Sequence, residues 1–292
     1  MNREGIIIKS QKELYYVQSD NIIYKSKARG LFRERNLKPL VGDRVVIQVL
    51  NDKEAYIEEI FDRKSEIVRP PVANINQILL VQSLIKPKIN FNIFDKYLVM
   101  LEHLNLPLII VVNKSDLVSE ELKNEFMEIY SKTGYKIIFT SSVDEEGIEE
   151  LRKCLQGNIS VLAGPSGVGK SSLLNKLSED INVQTGSISN KTSRGKHTTR
   201  HSELFTLDED SFILDTPGFT SLNLDFIENP YLVEKFFPEF SKYVNECKFS
   251  NCQHINEPIC GVKQALKENK LSKSRYENYL SIRQEILSKR RY

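Results

Sequence analysis

Two short runs carry the clearest chemistry in this chain. Gly164-Pro165-Ser166-Gly167-Val168-Gly169-Lys170-Ser171 fits the phosphate-loop pattern GxxxxGK[ST], and Asn113-Lys114-Ser115-Asp116 fits the guanine-reading pattern NKxD. Glycines let the backbone turn tightly and bring its N–H groups to a phosphate at the positive end of a helix. The first run follows an apolar stretch, Ile159–Ala163, and opens a helical one, Ser171-Ser172-Leu173-Leu174-Asn175-Lys176-Leu177, the context a working phosphate loop needs. Lys170 is expected to bridge the β- and γ-phosphates and Ser171 to ligate Mg²⁺. Asp116 is expected to accept two N–H bonds from guanine, with Asn113 at the Hoogsteen edge and the Lys114 stem over the ring. Adenine lacks that donor pair and would leave the carboxylate unpaired. Thr140-Ser141-Ser142 is expected to supply backbone N–H groups near guanine O6. The guanine-reading run precedes the phosphate loop, the reverse of the order in an ordinary GTPase.

Two further segments complete a nucleotide site. Asp215-Thr216-Pro217-Gly218 ends another apolar stretch, where Asp215 can hold Mg²⁺ through water and the Gly218 N–H can meet the γ-phosphate, as in a switch II segment. Asn190 to Arg200 is polar, contains glycine and suits a switch I loop, in which Thr198 or Thr199, with Thr199 preferred, brings a hydroxyl to Mg²⁺. Phe219 stands where Ras-like enzymes carry the glutamine that orients water, so another residue must do that work. His197 is the best local candidate, because imidazole titrates near neutrality, although a loop histidine bonded to backbone fits the sequence as well. Arg194 and Arg200 are candidates for transition-state charge stabilisation, which elsewhere contributes about 10³–10⁵ in rate.

Cys247, Cys252, His254 and Cys260 offer three thiols and one imidazole within a short span, a Cys₃His set suited to tetrahedral Zn²⁺. Four protein ligands leave no open position, so the site is expected to be structural. Cys154 reads as a small core residue, and His103 and His201 as ordinary packing or surface histidines.

The elements that must carry these residues fall into three regions, expected at 1–68, 69–228 and 229–292. The first shows five short β-rich runs, 5–9, 13–17, 21–24, 43–49 and 55–60, at the spacing of a small barrel: an OB-fold, with an SH3-like barrel as alternative. Between the third and fourth, Lys25 to Arg35 surrounds Phe32 with basic residues. It reads as a loop able to hold phosphates and stack a base, or simply as a solvated loop. Arg69-Pro70-Pro71 marks the boundary, since paired prolines interrupt ladders and helices. The second region alternates apolar strands with helix-length segments near 92–104, 120–132, 146–156 and 169–178, the rhythm of a doubly wound α/β domain. The third is helical and loop-like around the cysteines and ends in one or two basic helices over 262–292.

The 292 residues carry a net charge of +2, unevenly spread: 14 Lys+Arg against 11 Asp+Glu over 1–70, 18 against 25 over 71–261, and 9 against 3 over 262–292. Basic ends around an acidic centre suit a polyanionic partner, though a basic tail is also what a solvated helix face looks like. No signal peptide or membrane-length apolar run is evident, so a cytoplasmic protein without membrane attachment is expected, acting as a monomer.

With the motifs in this order, the whole chain resembles the circularly permuted GTPases of the ribosome small-subunit-dependent GTPase A family. The resemblance rests on NKSD, TSS, GPSGVGKS, GKHTTR, DTPGF and the Cys/His segment, in that sequence. It implies a GTP-hydrolysing enzyme, stimulated by the small ribosomal subunit, that assists late maturation of that subunit. Binding to rRNA through the barrel and the zinc segment, and departure after hydrolysis, are implied with it. It also implies His197 as the catalytic switch I histidine, with Phe219 as the family's hydrophobic replacement of glutamine. Two other classes fit parts of the sequence: a GTP-controlled binder of an unrelated RNA, and a signalling GTPase with a protein target.

Overall fold

A computed structural model describes residues 1–34, 37–68, 71–179, 203–215 and 223–289. The chain divides into two compact units, one of Met1–Leu79, Gly147–Ala163 and Gly169–Thr220, the other of Leu80–Glu146, Gly164–Val168 and Ser221–Tyr292.

In the first unit, β1 (Asn2–Gln11), β2 (Leu14–Ser19), β3 (Ile22–Ala28), β4 (Arg44–Val49) and β5 (Glu54–Ile60) close into a barrel of order β1-β2-β3-β5-β4. The β3–β5 pair is parallel and the other pairs are antiparallel, which matches the OB-fold expectation. Alternation explains the closure: Tyr15, Val17, Val45, Ile47, Ala55 and Ile57 all turn inward and are buried. The expectation of an RNA-stacking loop around Phe32 fails. Lys25 to Ala28 continue β3, Leu31–Glu34 form a helical turn (α1), and Phe32 is only 6% exposed, so its ring is spent on the core.

A short hairpin, β6 (Glu66–Val68) with β7 (Pro71–Ala73), follows the barrel. Pro71 therefore begins a ladder strand instead of excluding one, at the first-residue position where the missing N–H is tolerated. Ala73 donates to the Val41 carbonyl at 2.9 Å. Gly42 (φ +91°) permits this approach, because a Cβ there would lie 2.0 Å from the Ala73 oxygen. Asp43, fully buried, is satisfied by Arg63 Nε and Nη2 at 2.7 and 2.8 Å and by the Leu40 N–H at 2.7 Å.

A six-stranded sheet has the order β10-β9-β8-β11-β13-β12. Its strands are β8 (Gln77–Ser83), β9 (Leu108–Asn113), β10 (Lys136–Thr140), β11 (Ile159–Ala163), β12 (Leu204–Thr206) and β13 (Phe212–Asp215). β8 belongs to both units, Gln77–Leu79 to the first and Leu80–Ser83 to the second. β9–β10 and β11–β13 are parallel, and β12 adds an antiparallel edge. β8, β9 and β11 are buried along their whole length, as strands of a sheet covered on both faces must be. The helices are α2 (Phe91–Glu102), α3 (Glu120–Tyr130), α4 (Ile148–Leu155) and α5 (Lys170–Glu179). Asn90 caps α2 by accepting from the Ile93 N–H, and Ser119 caps α3 by accepting from Leu122.

The C-terminal part of the second unit runs through short 3₁₀ turns at Pro230–Phe236, Pro238–Lys242 and Val244–Glu246 into α6 (Gly261–Lys267) and α7 (Lys273–Lys289). Its apolar core joins Phe237, Phe240, Val262, Tyr279 and Ile282 to Val99 of α2. Beside that core lies a buried ionic network. Arg275 (1% exposed) donates to Glu239 at 2.8 and 3.1 Å and to Asp95 at 2.7 Å. Asp95 also accepts from Tyr130 at 2.9 Å and from Asn278 at 2.6 Å. His103 stacks on Phe226 at 4.0 Å, the packing role expected of it.

Candidate nucleotide site and metal centre

The guanine-reading run leaves β9 at its C-terminal end, the end where ligands bind in open α/β sheets. Its first two side chains are committed to the protein. Asn113, buried, donates through Nδ2 to the Val168 carbonyl at 3.0 Å and accepts from the Thr140 hydroxyl at 3.2 Å. Lys114, left-handed at φ 63°, donates through Nζ to the carbonyls of Gly167 and Lys86, both at 2.7 Å. The run therefore holds the phosphate loop as well as offering groups to a base. Asp116 is exposed, and one of its carboxylate oxygens accepts from the Ser141 hydroxyl at 2.8 Å, which fixes its plane.

The loop after β10 differs from expectation in one detail. The Ser141 N–H is taken by the Glu146 carbonyl at 3.0 Å, and the Ser141 oxygen accepts from the N–H groups of Val143 and Asp144, so this residue serves Asp116 and the loop's own turn. The Ser142 hydroxyl is buried and has no hydrogen-bond partner among the described residues. Ser115 and Glu146 tie the two runs together, hydroxyl to carboxylate at 2.6 Å. Ser115 occupies the variable position of NKxD, and nothing in the sequence pattern marks its side chain as buried.

Gly164 opens the phosphate loop at φ +128°, and a Cβ there would meet the Val81 carbonyl oxygen at 2.2 Å. Only glycine fits so close beside β8. Pro165, Ser166 and Gly167 carry the loop outward, the last two exposed, before Val168 turns fully into the core. Gly169 then leads into α5, whose first i→i−4 bond runs from Leu173 N–H to Gly169 O at 2.9 Å. Lys170, Ser171 and Ser172 thus occupy the first turn of that helix, where backbone N–H groups and the helix dipole favour an anion. Asp215 ends β13, in register with Leu162 of β11. His197, Thr198, Thr199, Arg194, Arg200, His201, Gly218 and Phe219 lie outside the described residues.

In the C-terminal module, one ligand atom each from Cys247, Cys252, His254 and Cys260 gathers within 4.8 Å of the others. His254 Nδ1 lies 3.3 Å from Cys260 Sγ and 3.6 Å from Cys247 Sγ, and the two sulfurs are 3.9 Å apart. A tetrahedral zinc with bonds of about 2.0–2.3 Å requires ligand separations of about 3.5–3.8 Å, and the Cys247, His254 and Cys260 donors lie close to that spacing, so their chemistry and placement fit that ion. Glu234 completes it: its carboxylate accepts from His254 Nε2 at 2.7 Å, which turns Nδ1 toward the sulfurs. Nothing in the spacing of the cysteines pointed to Glu234, twenty residues before the histidine. Burial pushes the Cys252 thiol up to about 12 and raises that of Cys260, so thiolates here need a cation beside them. N–H groups of Gly261 and Lys263 point at the Cys247 and Cys260 sulfurs, and the Tyr276 and Tyr279 hydroxyls of α7 hold the His254 and Gln253 carbonyls.

Residues 60–225 match the family described as RsgA GTPase, and residues 4–57 match the RsgA N-terminal domain. The chain belongs to the RsgA GTPase family. It is a GTP-hydrolysing enzyme, and membership of that family implies a guanine nucleotide and Mg²⁺ as its cofactors. The chain is 45% identical over 291 residues to the small ribosomal subunit biogenesis GTPase RsgA of Alkaliphilus metalliredigens, covering 99% of each chain. The RsgA of Clostridium perfringens strain 13 is 45% identical over 287 residues, covering 98% of this chain and 99% of the relative. Among solved structures, YjeQ from Thermotoga maritima superposes with a TM-score of 0.82 at 37% identity, covering 98% of this chain and 99% of the other. YloQ, described as a circularly permuted GTPase, superposes with a TM-score of 0.81 at 35% identity, covering 99% and 96%. The motif order of this RsgA-family chain agrees with that description. No helix among its described residues is long and apolar enough to cross a membrane.

Proposed function

We propose that this enzyme assists late maturation of the small ribosomal subunit, binding its rRNA, being stimulated by the subunit to hydrolyse GTP, and leaving after hydrolysis. Similarity at 45% identity over 98–99% of the chain to proteins named small ribosomal subunit biogenesis GTPase carries the reading. The three regions, 1–68, 69–228 and 229–292, would divide the work into RNA binding, nucleotide hydrolysis and a zinc-stabilised second RNA contact.

In the nucleotide site, Asp116 accepts from guanine while Ser141 holds the carboxylate. Asn113 and Lys114 keep the phosphate loop in register with the base pocket through Val168 and Gly167. The loop from Gly164 to Gly169 and the first turn of α5 present N–H groups to the phosphates, and Lys170 adds a point charge there. Ser171, Thr199 and, through water, Asp215 are the groups assigned to hold Mg²⁺, which when bound would supply charge neutralisation at the phosphates. His197 is assigned to orient the attacking water, and Gly218 to meet the γ-phosphate. The test is GTP hydrolysis by the purified protein alone, with small subunits, and with large subunits. Stimulation by small subunits only is expected; equal rates in all three would remove the ribosomal partner. Loss of that stimulation in His197→Ala with nucleotide affinity intact would support the histidine's role.

A further inference from the structure

The parallel ladder between β9 and β10 ends at the pair Asn113 and Thr140, so the two loops that follow these strands and frame the base run on beyond the sheet's own hydrogen bonds. Their spacing there is left to side chains, and Glu146 acts on both loops. Its carbonyl accepts the Ser141 N–H at 3.0 Å, which closes the β10 loop on itself, and its carboxylate Oε2 accepts the Ser115 hydroxyl at 2.6 Å. Ser115 is the chain neighbour of Asp116 and is 2% exposed. Ser141 is the residue whose hydroxyl orients the Asp116 carboxylate. One glutamate therefore holds Asp116 from both sides. Lys123 of α3 lies 3.6 Å from the other carboxylate oxygen, Oε1, which leaves Oε2 to Ser115.

Guanine offers two parallel N–H groups, at N1 and at the exocyclic amine, and one carboxylate meets both only when its plane and distance are right. Hypoxanthine offers N1–H alone, so it tolerates a carboxylate that has turned or shifted. We infer that Glu146 is a positioning residue for base selection: it sets the gap between the two loops so that Asp116 meets both guanine N–H groups at once. Without the Glu146 carboxylate the Ser115 hydroxyl is left buried and unpaired, and relieving that cost moves the turn that carries Asp116. The inference rests on the reading that Asp116 accepts from guanine.

The test compares GDP with IDP on the full, zinc-loaded chain by calorimetry, the two ligands differing only in the exocyclic amine. Glu146→Ala should weaken GDP about 10-fold and IDP no more than about 3-fold, so that the preference for guanine drops while the phosphates stay bound. Glu146→Gln keeps an oxygen acceptor for Ser115 and should hold the GDP/IDP ratio within about 2-fold of wild type. Ser115→Ala removes the same bond from its other end and should lower the ratio too, and the Ser115→Ala/Glu146→Ala double variant should fall no further than the lower single. Equal losses of GDP and IDP in Glu146→Ala, additive losses in the double variant, or wild-type ratios in both singles would overturn the inference. If Glu146→Ala melts too low to titrate, Ser115→Ala decides alone, a lowered ratio supporting the inference and an unchanged one overturning it. Asp116→Asn is titrated alongside with xanthosine diphosphate. No gain for xanthine would remove the reading of Asp116 and the inference with it, whereas a gain beside an unchanged ratio in Glu146→Ala would remove the inference alone.

Discussion

Replacing Arg275 by methionine should detach the C-terminal module from α2 energetically without emptying the space. The substitution removes three charge-assisted hydrogen bonds of 2.7–3.1 Å and leaves Asp95 and Glu239, 0% and 2% exposed, without their cation. Breaking a buried pair from one side costs about 3–5 kcal/mol, or about 10²–10⁴ in the opening equilibrium of the module. The chain has no tryptophan, so the assay is a urea titration followed by far-UV circular dichroism and by release of zinc from the loaded protein. The pH dependence has a definite sign. Burial already raises the Asp95 carboxyl above its ordinary range against the opposing pull of Arg275, and in the variant only the Tyr130 and Asn278 hydrogen bonds still oppose it. Between the unfolded and the raised folded value the native state holds a proton the unfolded chain lacks, so that stability falls as pH rises through the window. The deficit against wild type should therefore be smaller at pH about 5.5 than at about 7.5. Neutralising the orphaned acids in Arg275→Met/Asp95→Asn/Glu239→Gln should recover most of the loss, as buried ionic groups exchanged together for neutral ones often do. A single variant within about 1 kcal/mol of wild type at both pH values would refute the reasoning, because carboxylates that tolerate losing their partner are hydrated and not buried.

Gly164→Ala places a Cβ 2.2 Å from the Val81 carbonyl at a φ of +128°, and should cost about 1–3 kcal/mol and abolish tight nucleotide binding, read by thermal melting and a fluorescent GDP titration. Gly167→Ala, whose nearest neighbour would be 3.9 Å away, should be milder in both assays. Ser141→Ala removes the 2.8 Å bond that orients Asp116 and should weaken GDP about 5- to 10-fold by calorimetry, and Asp116→Asn should shift preference from guanine to xanthine nucleotides. Glu234→Gln should lower zinc affinity about 10- to 100-fold in a chelator competition, and an unchanged affinity would mean that the 2.7 Å bond to His254 does not tune the site.

The parts of this protein legible in its sequence are those where chemistry and local structure share a short stretch of chain. The phosphate loop, NKSD, the Cys₃His set and the five barrel strands each announce themselves through residue type, because each needs glycine, carboxylate, thiol or strict alternation at adjacent positions. Three-residue strands such as β6, β7 and β12 are too short for alternation to register, and Phe32 was misread because a basic flank says nothing of which way a ring points. Only the tertiary structure brought Glu234 to His254, Ser115 to Glu146, and the Asn113 and Lys114 side chains to the phosphate loop. It likewise brought Arg275 to an aspartate 180 residues earlier. Those contacts depend on which strand ends and helix faces meet. That is decided by how the whole sheet and core pack, since no local preference makes an arginine or an asparagine choose a partner far along the chain.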